Sequence, residues 1–560
     1  MTTTLSVKDR QYSIFTFVND EGEDVSIPEL NPLECKMFSG DVIFERKVVS
    51  SPVRVMQNIP GILILENNRT YGRTENKKKL FYKCKPFSTT YPDFLVPYSI
   101  QMGFQKNFKN KYVTFRFESW EEKHPIGMLM NSIGDVHDLP SFYEYLLFCK
   151  NLHNPITPFI KLCKTILSGS DQVSIHENII NNNPERFGQI ENLRATETFV
   201  FSIDPDGCTD RDDALSIQKD GDDYLVNVYI SNVFVWLEAL DLWDFLGTRV
   251  ATIYLPDSKR NMLPTTISDL CSLDENTNKF AFVIKLFVKK NDEGFEIDDS
   301  KTTINQCAVL INKSFVYEEH SLLKNKFYKE LFRVSTALDR TVTDSHELVS
   351  FWMMQTNTRL ARKLRSTCCG VYRKVKCGLS ASLEPHPVPG IRIWEQKVVG
   401  SYISFSENMD ASHEMLGVSE YVHFTSPIRR MVDVINQVLM VQRSEVVLSD
   451  HARTFVESSL GGLSDLNIQM KNIQKVQSEC VILDRVVNDT QFDGDAGVTA
   501  IVLAKLDDHR YSVYVPSLSW MSTVYSLEEC VKNTELTCRV YIFEGEDKLR
   551  RKIRLEVLKN

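Results

Sequence analysis

Five aspartates stand within ten residues of this 560-residue chain, directly after a stretch of strand-forming residues. The segment reads TFVFSIDPDGCTDRDDALSI, and its carboxylates belong to Asp204, Asp206, Asp210, Asp212 and Asp213. Arg211 is the one basic residue among them. Because clustered carboxylates repel one another, a cation is needed to hold them together. Hard divalent ions such as Mg²⁺ take oxygen ligands and bridge to phosphates. The segment therefore predicts a metal site for phosphoryl transfer at the end of a buried strand.

Other interpretations of the same segment are an acidic solvated turn and two known motifs. An EF-hand loop needs Gly at its sixth position, whereas Gly207 is the fourth residue counted from Asp204. DPDGCT also resembles the nucleophile loop of haloacid-dehalogenase-type phosphatases, in which Asp204 would attack phosphorus and Asp206 would act as general acid. Cys208 interrupts that motif, and the motif gives no role to the later aspartates.

A second informative segment is YVHFTSPIRRMVDVINQVLM. Thr425 or Ser426 is a good N-cap and Pro427 suits the first helical position, so the pattern predicts a helix with Arg429 in its first turn. The free amides of a helix N-terminus and the planar arginine fork both favour a phosphate. A capped helix with surface arginines is the alternative. Residues 358–378, which include Arg373, are basic and lack acidic residues, so they could line a phosphate path.

The overall charge of -9 conceals a basic region, because residues 41–120 hold 14 Lys and Arg against 6 Asp and Glu. Aromatic residues such as Tyr82, Tyr112 and Phe115 alternate there with lysines such as Lys83 and Lys111. Charges beside stacking rings suit single-stranded nucleic acid. A half-buried sheet with a solvated lysine face gives the same pattern.

Short strand-like runs fill the first 120 residues and the region after Asp489. Apolar residues at helical spacing occur from about residue 138 and again in long segments such as 428–439. The chain is therefore expected to be an α+β, multidomain protein with β-barrels near both ends. Thirteen cysteines without a CxxC pair predict reduced thiols, and no apolar run is long enough for a membrane span. We expect an intracellular protein without a membrane partner.

DPxxxxDxDDA followed about 210 residues later by HFTSPIRR is similar to the signature of the RNB-domain exoribonucleases, the family of bacterial RNase II and RNase R and of the exosome exoribonuclease. GTRVATIYLPDSKRNMLPTTISDLCSL resembles a further family stretch, with matches that include Arg249 and Tyr254. The resemblance implies two N-terminal cold-shock-type OB barrels, a central RNB catalytic domain and a C-terminal S1-type OB barrel, with no PIN domain. Their predicted ranges are residues 1–92, 93–186, 187–488 and 489–560.

The resemblance also implies hydrolysis of single-stranded RNA from its 3′ end to nucleoside 5′-monophosphates by a two-metal mechanism. The family's four metal-site aspartates, which would hold Mg²⁺ or Mn²⁺, match Asp204, Asp210, Asp212 and Asp213. Tyr254 matches the tyrosine that packs on the terminal nucleotide, and Arg429 the arginine that stabilises the attacked phosphate. Arg249 and Arg373 are predicted as further RNA contacts, whereas Asp206 falls outside the set. We also expect a monomer that is located in the cytoplasm, with the nucleus as a second location. Recruitment to an RNA-decay complex is expected as well.

Several positions depart from the family pattern. Met431 replaces an aromatic residue, Gln437 and Val438 replace a His-Arg pair, and Ser350 and Phe351 replace paired glutamates. The family's HIAD segment is changed to YISN at residues 229–232. These changes leave the four aspartates intact, but they motivate an alternative function: RNA binding on an RNB fold with impaired catalysis.

Overall fold

The computed structural model describes residues 2–558 except 28–29, 67–68, 76–77, 101–107, 170–171, 183, 248, 293, 379–387, 396–397, 444–445, 493–496 and 545–550. The chain forms two compact units. One comprises Met1–His153, Leu255–Asp257 and Asn472–Asn560, and the other comprises Asn154–Tyr254 and Ser258–Lys471. Across the described ranges, no helix is both long and apolar enough to cross a membrane.

The N-terminal part of the first unit is a sheet with the strand order β3-β2-β1-β4-β5. Its strands are β1 (Thr3–Val7), β2 (Phe15–Asn19), β3 (Asp24–Val25), β4 (Val42–Phe44) and β5 (Lys47–Ser50). Alternate residues of β1 are buried, as expected for a strand with one face on a core. Leu5, Phe17 and Ile43 belong to that core.

A closed barrel follows, with the strand order β10-β8-β7-β6-β9. Its strands are β6 (Ile59–Leu63), β7 (Leu80–Pro86), β8 (Phe94–Tyr98), β9 (Lys111–Ser119) and β10 (Ile126–Asp135). Helix α1 (Pro52–Val55) precedes the barrel and α2 (Leu139–Cys149) follows it. The domain boundary predicted at 92/93 is therefore wrong, because it cuts between β7 and β8 of one barrel. Strand-like runs are local features of the sequence, whereas barrel closure depends on long-range pairing such as that of Ile126 with Leu95.

Tyr82 and Phe115 of the basic region belong to the core of this barrel rather than to an exposed stacking face. Tyr82, Tyr112 and Phe115 are all buried. Lys83 forms an ion pair with Asp93, and Lys111 pairs with Asp135 on β10. The alternation predicted from the sequence is thus that of half-buried strands with solvated lysines. Lys77 and Lys106, which belong to the same run, lie outside the described residues.

The second unit is built on a sheet with the order β11-β18-β17-β14-β13-β12-β19, with two separate strand pairs. The strands of the unit are β11 (Ile190–Asn192), β12 (Phe201–Asp204), β13 (Asp213–Asp220), β14 (Asp223–Ser231), β15 (Ile253–Tyr254), β16 (Lys259–Arg260), β17 (Thr277–Asn291), β18 (Gly294–Ile311), β19 (Lys313–Val316), β20 (Val371–Lys376) and β21 (Val399–Ser404). Strand β12 pairs antiparallel with β13 and parallel with β19. The two separate pairs are β15 with β16 and β20 with β21.

Helices of the second unit precede, interrupt and follow this sheet along the chain. They are α3 (Thr157–Ser168), α4 (Gln172–Asn182), α5 (Pro184–Phe187), α6 (Val233–Ala239), α7 (Thr265–Cys271), α8 (His320–Lys324), α9 (Lys326–Leu338), α10 (Ser345–Ser366), α11 (Pro389–Glu395), α12 (Met431–Gln442) and α13 (Asp450–Gly461). Asp344 caps α10 by accepting the N–H of Glu347 at 2.8 Å. Such caps satisfy backbone donors that have no partner inside the helix.

Helix α14 (Leu463–Asn488) leads to a C-terminal sheet with the order β24-β23-β22-β25-β26. The strands are β22 (Val498–Lys505), β23 (Arg510–Val515), β24 (Trp520–Tyr525), β25 (Glu535–Glu544) and β26 (Arg551–Val557). Ile482 and Val486 of α14 join the core of this sheet with Val513. The multidomain α+β organisation and its several OB-like β-sheets are therefore as predicted.

Candidate active site

The aspartate segment lies at one end of the seven-stranded sheet. Asp204 is the last residue of β12 and Asp213 is the first residue of β13. Because these strands are antiparallel neighbours, both carboxylates come to the same sheet edge. The connecting loop is fixed by Arg211, whose N–H donates to Ser272 Oγ at 3.0 Å and whose Nη1 donates to Asp274 Oδ1 at 2.8 Å.

Three of the four predicted metal ligands face a basic side chain. The pairs are Asp204 with Arg211 (Oδ2 to Nε, 3.6 Å), Asp210 with Lys259 (Oδ1 to Nζ, 2.6 Å) and Asp212 with Arg429 (Oδ2 to Nε, 3.1 Å). The second oxygen of Asp212 accepts the N–H of Ile428 at 2.9 Å. The negative charge of the cluster is thus partly balanced by the protein itself.

Burial makes the charged form of these carboxylates costly. It raises the pKa of Asp204 to about 6, although the Arg211 charge acts in the opposite direction. Burial likewise raises the pKa of Asp212 to about 7 against the effect of Arg429. The pKa of Asp213 rises well above its usual value because of burial and the charges of Asp204 and Asp212. A further cation within the cluster would relieve this cost.

The donor set fits a hard divalent ion in its chemistry. The four side chains offer carboxylate oxygens, and Asp204 Oδ2 is buried with no hydrogen-bond partner in the described part of the chain. No group of three His, Cys, Asp or Glu side chains in those ranges is already arranged to hold an ion. Two of the four carboxylates, Asp210 and Asp212, are in ion pairs with Lys259 and Arg429 in this arrangement.

Arg429 lies beside the aspartates, but it does not lie in the first turn of a helix. Helix α12 begins at Met431, and Arg430 is its N-cap residue in an extended conformation. The predicted start at Pro427 is wrong because this segment pairs with residues 250–252 instead. The N–H of Thr252 donates to Arg429 O at 3.0 Å, and the N–H of Met431 donates to Val250 O at 3.0 Å.

The two adjacent arginines have different partners. Arg429 Nη2 donates to Ser426 Oγ at 2.8 Å, and its Nε contacts Asp212. Arg430 pairs with Asp433, a fully buried carboxylate that also accepts the N–H of Ser426 at 2.7 Å. Arg430 thus neutralises a buried charge of the fold, whereas the Arg429 guanidinium stands at the aspartate cluster.

A cavity of about 1260 Å³ opens at the aspartates. Its lining includes all five aspartates of the segment together with Tyr254, Lys259, His423, Arg429 and Arg430. Tyr254 is 43% exposed, so its ring is available to a ligand. Asp206 is exposed, unlike the other four, which agrees with its exclusion from the metal set.

Sequence reasoning missed Lys259 and His423 as cavity residues. Lys259 is the cross-strand neighbour of Tyr254 on the β15–β16 pair, a relation that a match to Tyr254 could have suggested. The His423 Nδ1 lies 2.7 Å from the Tyr402 hydroxyl. Burial and nearby arginines lower the pKa of His423 well below its usual value.

The remaining predicted RNA contacts are not in the cavity lining. Arg249 donates from Nε to Asn154 O at 2.9 Å and from Nη1 to Asn261 O at 2.7 Å. The Arg373 guanidinium lies over the Tyr402 ring, 4.9 Å from its centroid. These geometries give both arginines structural partners, and their RNA contacts stay predictions.

The positions that depart from the family pattern fall into two groups. Ser350 and Phe351 of α10 line the cavity. Met431, Gln437 and Val438 of α12 are buried in the fold and do not line it. The first group can therefore affect a ligand directly.

The RNB domain family model matches residues 191–323 and 391–443, which contain the aspartate segment and Arg429. These two stretches are similar to the RNB domain. DIS3-like exonuclease 2 of Schizosaccharomyces pombe is 27% identical over 306 residues, which cover 51% of this chain and 32% of that protein. The chain spans about a third to two-fifths of the length of the curated relatives it matches first.

Two solved structures share the fold around this RNB domain. Mycoplasma genitalium RNase R in complex with ribose methylated single-stranded RNA matches with a TM-score of 0.71 and 14% identity, covering 99% of this chain and 100% of that chain. Yeast Ssd1, described as a pseudonuclease, matches with a TM-score of 0.60 and 13% identity, covering 96% of this chain and 80% of that one. The predicted family and multidomain architecture are thus confirmed.

Proposed function

We propose that this RNB-domain protein is a divalent-metal-dependent 3′-to-5′ exoribonuclease that hydrolyses single-stranded RNA to nucleoside 5′-monophosphates. The observation that supports this best is the convergence of Asp204, Asp210, Asp212 and Asp213 with Tyr254 and Arg429 on one cavity. Few reactions other than phosphoryl transfer need clustered carboxylates beside a guanidinium and an exposed ring.

In this proposal each residue has one task. The four aspartates bind Mg²⁺ or Mn²⁺, which when bound lowers the pKa of the attacking water and stabilises the leaving 3′ oxygen. Arg429 presents its planar guanidinium to the attacked phosphate and neutralises charge that grows in the transition state. Tyr254 packs its ring against the terminal base. A cytoplasmic location, a monomeric state and recruitment to an RNA-decay complex remain predictions from the sequence.

A second candidate is RNA binding without hydrolysis. It is favoured by the ion pairs of Asp210 with Lys259 and of Asp212 with Arg429, which engage two proposed metal ligands. The fold similarity to a protein described as a pseudonuclease agrees with it. We favour hydrolysis because all four aspartates are present and Asp213 has no ion pair within the described ranges.

The decisive experiment uses the full chain and single-stranded RNA carrying a label at either end. Under the proposal, Mg²⁺ or Mn²⁺ supports release of mononucleotides from the 3′-labelled RNA and stepwise shortening of the 5′-labelled RNA, and EDTA stops both. Asp212→Asn is the matched inactive variant. RNA that is bound in a filter assay but uncut with either ion would establish the second candidate. A protein that neither cuts nor binds RNA contradicts both.

A further inference from the structure

Lys259 makes closer contact with the aspartate cluster than either arginine at the cluster. Its Nζ lies 2.6 Å from Asp210 Oδ1 and 2.7 Å from Thr209 Oγ1. The side chain is 33% exposed and lines the cavity, so its ammonium can move without leaving the site. Strand β16 fixes the backbone of Lys259 beside Tyr254 on β15.

The position of this ammonium bears on ion binding. A lysine ammonium is a compact point charge that can take the place of a metal ion beside a carboxylate. A divalent ion coordinated by Asp210 Oδ1 would stand about 2.1 Å from that oxygen and hence within about 5 Å of Nζ. Like charges at that distance repel strongly in a partly buried site. The ion and the ammonium therefore cannot both bind this oxygen at full strength.

We infer that the Lys259 ammonium competes with divalent cations for the Asp210 carboxylate. It thereby weakens metal binding by the aspartate cluster in the absence of RNA. This rests on the proposed function in one respect, that the aspartates take a divalent ion. Lys259 is a positioning residue in this role, because it acts on Asp210 and forms or breaks no bond of the substrate. Removal of its charge leaves Asp210 free to coordinate the ion.

The test measures metal binding and uses no RNA. Metal-free full-length protein is titrated with Mn²⁺, and free Mn²⁺ is followed by its electron paramagnetic resonance signal. Lys259→Met is expected to raise the apparent affinity by about tenfold or more, since one opposing charge is lost. Lys259→Arg keeps the charge and should bind Mn²⁺ as weakly as the wild type.

Lys285→Met is the matched control. Lys285 also pairs with a carboxylate, with its Nζ 2.7 Å from Glu191 Oε1 in the seven-stranded sheet, and it is 26% exposed, but it lies outside the cavity lining. This variant should bind Mn²⁺ like the wild type. Thermal unfolding confirms that each variant is folded, and Lys259→Gln replaces Lys259→Met if the latter is not.

Unchanged or weaker Mn²⁺ binding by Lys259→Met overturns the inference, and weaker binding would mean that Lys259 holds Asp210 in place for the ion. Absence of Mn²⁺ binding by every variant overturns it as well. The proposed function fails differently, by absence of RNA cleavage from protein that has bound Mn²⁺. A gain in affinity together with uncut RNA would support the inference and reject the exoribonuclease.

Discussion

Substitution of Asp212 by Asn is expected to stabilise the metal-free protein at alkaline pH. The Asp212 side chain is 3% exposed, and burial raises its pKa from the ordinary 3.8 to about 7 even though Arg429 and the Ile428 N–H favour the charged form. The folded protein therefore holds this proton more tightly than the unfolded chain. The protonated Asp212 carboxyl thus adds to the free energy of unfolding. This contribution is fully present below about pH 4 and is lost as the pH rises to about 7.

The size of the effect follows from the same pKa values. The pKa of Asp212 differs by about three units between the unfolded and the folded protein, and each unit corresponds to about 1.4 kcal/mol. The upper limit of the effect on the free energy of unfolding at pH 8 is therefore about 4 kcal/mol. Asn is neutral at every pH and resembles the protonated carboxyl in shape. We therefore expect the stability advantage of Asp212→Asn to grow by about 2 to 3 kcal/mol between pH 5 and pH 8.

The assay is thermal unfolding in EDTA, followed by circular dichroism at both pH values. The midpoint temperature of unfolding of the variant should exceed that of the wild type by several degrees at pH 8 and by much less at pH 5. Asp206→Asn, an exposed Asp-to-Asn change in the same loop, is the matched control. An advantage that stays constant with pH, or a wild type that is the more stable at pH 8, would refute the electrostatic reasoning.

Four further expectations concern the cavity and its support. Tyr254→Ala should leave longer end products on a sequencing gel, because loss of base stacking costs about 1 to 3 kcal/mol and matters most for short RNA. Arg429→Ala should lower kcat by about 100-fold or more with little change in KM, and Arg429→Lys should restore little of it, in steady-state cleavage assays. Arg430→Met should cost about 3 to 5 kcal/mol in urea unfolding by leaving the buried Asp433 unpaired, and a second change, Asp433→Leu, should recover much of that loss. Asp206→Asn should cleave labelled RNA at the wild-type rate.

The aspartate centre was accessible to sequence reasoning because most of it is local. Asp204 and Asp213 end and begin neighbouring strands, so one hairpin brings their carboxylates to one edge. The contact of Asp210 with Lys259 is of another kind, because it joins the hairpin loop to a two-residue strand distant in sequence. Only tertiary packing determines such a contact, and the lysine carries no pattern of its own.

Long-range pairing also explains the two structural errors. Local capping rules favour a helix from Pro427, but residues 427–429 form only a turn, and Arg430, which pairs with Ala251, is extended, so helix α12 begins at Met431. The short strand-like runs of the first 120 residues predicted two domains that meet at 92/93, but pairing of β8 with β10 closes one barrel that contains both sides of this boundary. At the start of α12, backbone hydrogen bonds to residues 250–252 outweigh a capping preference worth about 1 kcal/mol.

Two of the positions that depart from the family pattern, Asn232 and Gln437, make hydrogen bonds inside the fold. The Gln437 Oε1 accepts the N–H groups of Val233 and Phe234 at 3.1 and 3.3 Å, and its Nε2 donates to Ser231 O at 2.7 Å. Asn232 caps the same helix, α6, by accepting the N–H of Val235 at 3.1 Å. These two amides satisfy first-turn donors of α6, which would be costly to bury without partners.

Ser350 and Phe351 form an uncharged wall of the cavity, at positions where the family usually has paired glutamates. Unlike Asn232 and Gln437, these residues can affect a ligand directly. Loss of two carboxylates would remove repulsion of an RNA backbone from the cavity whose lining also includes Tyr254 and Arg429. The chain keeps every aspartate of the centre, and its departures at Asn232 and Gln437 make hydrogen bonds within the fold. A difference from its relatives in RNA choice or rate should therefore arise at this wall of the cavity rather than from loss of the metal ligands.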